Sequence, residues 1–351
     1  MLDRRKLTSS DDAARLDFIS IDCEASSGYI DPRTGISQLQ PLRSFPEGER
    51  NCYTLKPKQG ESNNYLIRAF FAYGNYDAKS KTQTFDLYLN VDFWTIVDLD
   101  LTDHLQVVEI IHTLTTDSIH VCLANTGRGT PYISTLELRP LGNSIYLASS
   151  PLSPSPSQSL LVLDTRVDVG STKFASGDFT RFKDDTYDRL WRMDDISPDQ
   201  GWEVFHRSND IDVESINDSY KLPKEVLMSA TRSRNLSSAV QLDYESHWTT
   251  PLEKSFNYYV IFHFVEIEKL PAGQKRVIDI TVNGQNILSR PITLEYFKPV
   301  TIINVTNQDG LHFKISATSE SDARPILNAV EVYKFVSPLA SPTVQTDGTL
   351  L

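Results

Sequence analysis

Apolar and polar residues alternate with a period of two through most of this chain. "YLIRAFFAYG", "TFDLYLNVDFW", "LQVVEIIHTL", "SIHVCLAN", "YISTLELRPL", "NYYVIFHFVEI", "RVIDITVNG", "LHFKISAT" and "LNAVEVYKF" are strand-sized, rich in Val, Ile, Tyr and Phe, and separated by Gly, Asn, Asp or Pro. Runs of this kind turn one face to a core and read as β-strands. Helical spacing is scarce, and "PKEVLMSA" is its best short instance. The pattern predicts an all-β fold of sandwich type.

The strands also repeat. Tyr65–Phe71 (YLIRAFF) aligns with Tyr258–Phe264 (YYVIFHF), and at the same offset "FDLYLN" falls on "IDITVN", pairing Asp86 with Asp279 and Asn90 with Asn283. Near the ends, "PYISTLEL" matches "PILNAVEV" one residue out of step. Segments recurring in order at one spacing mark two tandem copies of one β-domain. The Pro/Ser-rich "SSPLSPSPSQS" cannot hold a regular strand and serves as the connector. The predicted organisation is a first lobe over 16–148, a linker over 149–159, a second lobe over 160–336 and a flexible tail over 337–351. From the opening strand near Phe18 to Tyr65, the first copy has about half the length that the second has from Leu160 to Tyr258. A deletion near Gln38–Leu42 is therefore expected in lobe one, leaving an incomplete sheet or a rerouted opening strand there.

"FISIDCEASSGYIDPRTGIS", "LRSFPEGERNCYTL", "YLIRAFFAYGNYD", "FDLYLNVDFW", "VCLANTGRGTPYISTLELRPL" and "RFKDDTYDRLW" together resemble the malectin-like domain, the extracellular part of many plant receptor-like kinases that carry leucine-rich repeats. The resemblance implies two tandem malectin-type, jelly-roll-like β-sandwich lobes, the first one shortened. It also implies an extracellular or plasma-membrane-surface recognition module, without catalysis or cofactor, that binds a peptide or protein, a cell-wall glycan, or a co-receptor. A soluble lectin-like protein, and a truncated relative without independent function, are the alternatives. The chain departs from the family in having Asp22-Cys23-Glu24 where a glycine follows the cysteine, and in a shorter segment before "RSFP". No signal peptide, transmembrane segment, leucine-rich repeat or kinase is expected within these residues.

A net charge of −12 argues against nucleic acid as a partner and favours a basic ligand. Asn217, Asn235 and Asn304 head glycan acceptor sequons, which matter for a chain in the secretory pathway. Cys23, Cys52 and Cys122 permit one disulfide of undecided pairing. For ligand binding, Tyr73, Asn75, Tyr76 and Asp77 combine rings that can stack on sugars with groups that can bond hydroxyls. The competing reading is a turn whose polar groups satisfy its own backbone.

"RFKDDTYDRLW" clusters Asp184, Asp185 and Asp188, but without the glycine and ligand spacing of a calcium loop. Ion pairing with Arg189, Arg192 or Lys183 on a solvated segment is the expectation, with Trp191, Trp202 and Trp248 as core or interface anchors. Arg43 and Arg50 flank turn residues leading into a strand. His104, His112 and His120 form no metal constellation, and no hydrolase, zincin or phosphate-loop motif is present.

Overall fold

The computed structural model describes residues 19–22, 42–99, 105–146, 160–171, 179–193, 202–207, 216, 218–244, 257–307 and 310–336. Each alternating run becomes a strand. The spine is one continuous sheet in the order β1 (Ile19–Asp22), β10 (Thr135–Pro140), β4 (Asn64–Phe71), β7 (Gln106–Thr113), β11 (Leu160–Asp168), β24 (Ala329–Val336), β17 (Asn257–Phe264), β21 (Val300–Thr306). Its two halves have the same internal order, so β1, β10, β4 and β7 of the first copy correspond to β11, β24, β17 and β21 of the second. The halves join at a seam where β7 pairs antiparallel with β11, His112 opposite Leu160 and Ile110 opposite Val162.

One face of the spine carries a smaller sheet in each lobe. Lobe one supplies β3 (Arg50–Leu55), β8 (Ile119–Arg128), β5 (Gln83–Leu89) and β6 (Asp92–Leu99). Lobe two supplies β16 (Val240–Tyr244), β22 (Leu311–Ala317), β18 (Arg276–Val282), β19 (Gln285–Asn286) and β20 (Ile292–Leu294). Between the layers lie two apolar cores, one holding Tyr65, Ile67, Phe71 and Phe85, the other Val260, Phe262, Ile280 and Phe313. The Phe262 and Phe313 rings meet edge to face at 5.1 Å, a favoured aromatic geometry.

The repeat extends to single hydrogen bonds. Asn90 and Asn283 both sit at positive φ, 55° and 50°, a conformation asparagine tolerates. Each side-chain oxygen accepts the backbone N–H of a histidine across the sheet, His120 at 2.9 Å and His312 at 2.6 Å. Asn283-Gly284 turns the β18–β19 hairpin, as its sequence predicts.

The lobes differ in the chain that follows their opening strands. In lobe two this chain forms β12 (Thr180–Arg181), β13 (Leu190–Met193), β14 (Trp202–His206), the short helix α1 (Lys224–Met228) and β15 (Ser229–Ser233). There β14, β15 and β23 (Ile326–Leu327) make a three-stranded sheet. At the matching place in lobe one the described residues supply β2 (Arg43–Ser44) on β9 (Tyr132–Ile133), a two-stranded sheet. The opening strand is not rerouted: β1 pairs with β10 as β11 pairs with β24. Of Gln38–Leu42, only Leu42 lies within the described residues, and it is buried in the lobe-one core. The linker and the tail lie outside them.

At the end of β11 the backbone runs against β15. A Cβ on Gly170 would stand 2.3 Å from the Ala230 nitrogen, which only glycine avoids. Beside it, buried Asp168 accepts from the Ser229 hydroxyl at 3.1 Å and the Gly170 N–H at 3.2 Å. Burial outweighs these bonds and, with Glu225 nearby, raises its pKa from 3.8 to about 6. The folded state therefore binds this proton more tightly than the unfolded chain. The stabilisation it brings is complete below pH 3.8 and is lost as pH rises through 6. Asp168→Asn is expected to remove this dependence, a difference of about 3 kcal/mol between the two ends of that window. Denaturant titrations of both proteins from pH 4 to 8 would measure it; parallel stability curves would refute it.

Candidate functional site

The face of the spine opposite the smaller sheets holds a row of charges running across the seam. Glu137 on β10 is opposite Arg68 on β4, which is opposite Glu109 on β7, and Arg166 on β11 is opposite Glu331 on β24. Directly opposed residues share a face of the sheet, so the charges alternate in sign along it. The N···O distances are 2.8 Å for Arg68–Glu137, 2.6 Å for Arg68–Glu109, 2.9 Å for Arg166–Glu109 and 2.8 Å for Arg166–Glu331. All five side chains are buried. Glu331 also contacts His263 at 3.0 Å and accepts from the Tyr146 and Tyr333 hydroxyls.

Over this row lies "RFKDDTYDRLW". Arg139 bonds Asp188 at 2.8 Å, Arg181 reaches Glu137 at 3.0 Å, and Arg68 donates to the Asp188 carbonyl at 2.7 Å. Asp185 accepts from Arg189 and from the Trp191 indole at 2.8 Å. The expectation of a solvated segment is corrected: Asp185, Asp188, Arg189 and Trp191 are buried. A stretch of the second copy packs here against the first. Glu109, Glu137 and Glu331 stay charged because they are paired. Burial alone would raise Glu137, yet Arg68, Arg139 and Arg181 hold it at about 2. Glu331 is likewise depressed, burial being outweighed by Arg166, the His263 bond and Arg189. One signal for this row was present in the strands: a charge flanked by apolar residues within each of "YLIRAFF", "VVEII", "STLEL" and "NAVEV".

The four residues singled out for sugar binding do come together. The Tyr73 ring is 1% exposed and packs in an aromatic group with Tyr76 and Tyr132. Its hydroxyl donates to Asp77 Oδ1 at 2.6 Å and Asn75 accepts the Ser80 N–H at 2.9 Å, whereas the Tyr76 hydroxyl and Asp77 Oδ2 have no hydrogen-bond partner among the described residues. Asn75, Tyr76 and Asp77 keep partial exposure. Burial, with Asp77 beside it, raises the Tyr76 hydroxyl to about 12.

The remaining candidates fall apart in space. Cys52 and Cys122 form a disulfide between facing positions of β3 and β8, and Cys23 lies outside the described residues. Asn217, His104 and Trp248 are outside them too. Trp191 and Trp202 are core residues. Arg43 lies over the Phe45 ring at 5.3 Å, and the exposed Arg50 lies over Tyr88 at 4.9 Å. His112 is buried at the seam, where burial lowers its pKa to about 4, whereas His120 is exposed and bonds Thr54. Among the described residues no group of three or more His, Cys, Asp or Glu could hold a metal, and no helix is long and apolar enough to cross a membrane. A shallow polar depression in lobe two, lined by Trp202, Ser237, Ser238, Gln241, Lys314 and Ser316, was not foreseen. Ser237, Ser238 and Gln241 are near neighbours in sequence, but Trp202, Lys314 and Ser316 come from distant strands, with no motif between them.

The malectin-like domain profile matches residues 12–335. Two leucine-rich repeat receptor-like protein kinases of Arabidopsis thaliana are 34% identical over 347 residues and 36% identical over 364 residues, covering 96% and 94% of this chain. The chain spans only 37% and 39% of their lengths. Among solved structures, the ANXUR2 extracellular domain from Arabidopsis thaliana has a TM-score of 0.68 at 15% identity, covering 93% of this chain and 92% of that one. A plant complex of the peptide RALF23 with FER and LLG2 gives 0.68 at 15% identity, covering 95% and 92%. Likeness at that identity speaks for the fold alone. With the profile over nearly the whole length, the two kinases above 30% identity and the paired sandwich lobes, the chain belongs to the malectin-like family.

Proposed function

We propose that the chain is a non-catalytic recognition module of a receptor-like kinase ectodomain, working outside the cell and binding a peptide or protein partner, with a co-receptor completing the complex. The observation that carries this reading is the shared fold with a structure in which FER is complexed with the peptide RALF23 and with LLG2. Support for a peptide over a sugar comes from the Tyr73–Asp77 loop, where the Tyr73 ring is buried and its hydroxyl is taken up by Asp77. The net charge of −12 favours a basic ligand through electrostatic steering.

Titration of the chain with a panel of cationic secreted peptides, at about 0.05 M and about 0.3 M salt, tests this. Screening shortens from roughly 14 Å to roughly 6 Å over that range, so affinity should fall several-fold, mostly through a slower on-rate. Affinity indifferent to salt would remove the steering argument. Glycan-array binding that Tyr76→Ala abolishes, with no peptide bound, would replace the reading with a lectin.

A further inference from the structure

The two halves of the spine end differently. In the first, Tyr65 pairs with His112 and Ile67 with Ile110; in the second, Tyr258 pairs with Thr306 and Val260 with Asn304. Ile110, Ile111 and His112 therefore correspond to Asn304, Val305 and Thr306. The first three are covered by the incoming strand β11. Among the described residues, the second three have a strand partner on one side only, β17. They are also a complete glycan acceptor sequon.

β21 reads "VTIINVT", with no charge and no proline, and its pairing with β17 runs without a bulge. Ile303 is 45% exposed on it. Charge, proline and bulges are the usual devices that stop a free edge from recruiting another strand. The strand with the right geometry to be recruited is known from the fold itself, because β1 is the counterpart of β11. A second copy's β1 added to β21 would repeat the seam between molecules. That contact is head-to-tail and leaves a fresh β21 edge each time, so it grows without closing.

We propose that Asn304 carries an N-linked glycan and that this glycan guards the β21 edge against strand addition by a second copy of the chain. The proposal rests on the extracellular reading above, since the modification belongs to the secretory pathway. In the modification Asn304 Nδ2 bonds to the anomeric carbon of a lipid-diphosphate-linked oligosaccharide. The carbon–oxygen bond to the diphosphate breaks, the lipid diphosphate leaves with the electron pair, and the amide gives up one proton. No redox partner is needed. Asn304 lies opposite Val260, half-buried on that face of the edge strand, and a strand paired on this edge would place a side chain about 5 Å from its Cβ, where it would crowd a sugar on Nδ2. Glycan and added strand exclude each other.

The test uses the whole chain secreted from a eukaryotic cell, with site-resolved glycopeptide mass spectrometry and light scattering across a concentration series. Asn304 is expected to be occupied and the protein monomeric. Thr306→Ala, which erases the sequon but keeps Asn304, should associate into open-ended oligomers as concentration rises, as should folded wild-type protein after enzymatic removal of its glycans. Thr306→Ser should behave as wild type, and adding Ile303→Lys to Thr306→Ala should restore the monomer. Asn304 empty while Asn235 is occupied, or a Thr306→Ala protein that stays monomeric, would overturn the proposal and leave the extracellular reading standing. If every sequon is empty, both fall.

Discussion

Glu331→Ala is expected to destabilise the protein by about 3–5 kcal/mol, the cost of removing one partner from a buried ion pair. Glu331 is fully buried and serves Arg166, His263, Tyr146 and Tyr333 together. Its loss leaves the buried Arg166 with Glu109 as its one remaining carboxylate and strips an acceptor from two hydroxyls. The penalty comes from groups left unpaired inside, not from the ion pair's own net worth, which is small after desolvation. Lys275→Ala is the control, because it breaks the solvent-exposed Lys275–Glu320 pair, which water and salt screen, and should leave the midpoint almost unchanged. Equal midpoints for the two variants in denaturant would contradict the account. Acid should spare the row for longest. Glu137 is held at about 2, so its contribution is fully present above pH 4.5 and is lost progressively as pH falls from there through 2.

Replacing Cys52 and Cys122 by alanine should cost roughly 4 kcal/mol, the loop-closure entropy for a cross-link spanning about 70 residues. The disulfide joins β3 to β8 within the smaller sheet of lobe one. Hydrogen exchange should therefore quicken first in β3 and β8, whereas β4 and β7, tied into the shared spine, should hold longer. The same order on adding a reductant to the wild type would confirm the cause. A stability change below about 1 kcal/mol would mean that the unfolded chain gains little freedom when the link is removed.

Much of the fold was legible because its signals are local. Alternation with a period of two marks which residues face a core, whatever lies on the other side, and nearly every apolar run became a strand. Asn283-Gly284 specifies its own turn, and the repeat carried the lobe architecture from one half of the chain to the other. The residues singled out for sugar binding were neighbours in the sequence, yet Tyr73 packs in the interior against Tyr132, which is distant in sequence. Similarly, "RFKDDTYDRLW" looks solvated when its charges are compared only with one another. Arg68, Arg139 and Glu137, from the other lobe, draw it into the interior.

By itself the sequence determined that this is an all-β chain of two related units, with family motifs in order. Tertiary structure decided that the units share one sheet, because whether β11 pairs with β7 depends on backbone groups that are the same in every sequence. It also decided that, among the described residues, β21 pairs on one side only, and which charges are buried. A carboxylate's cost or benefit depends on the cations that surround it after folding, and those arrive here from strands far apart in the chain.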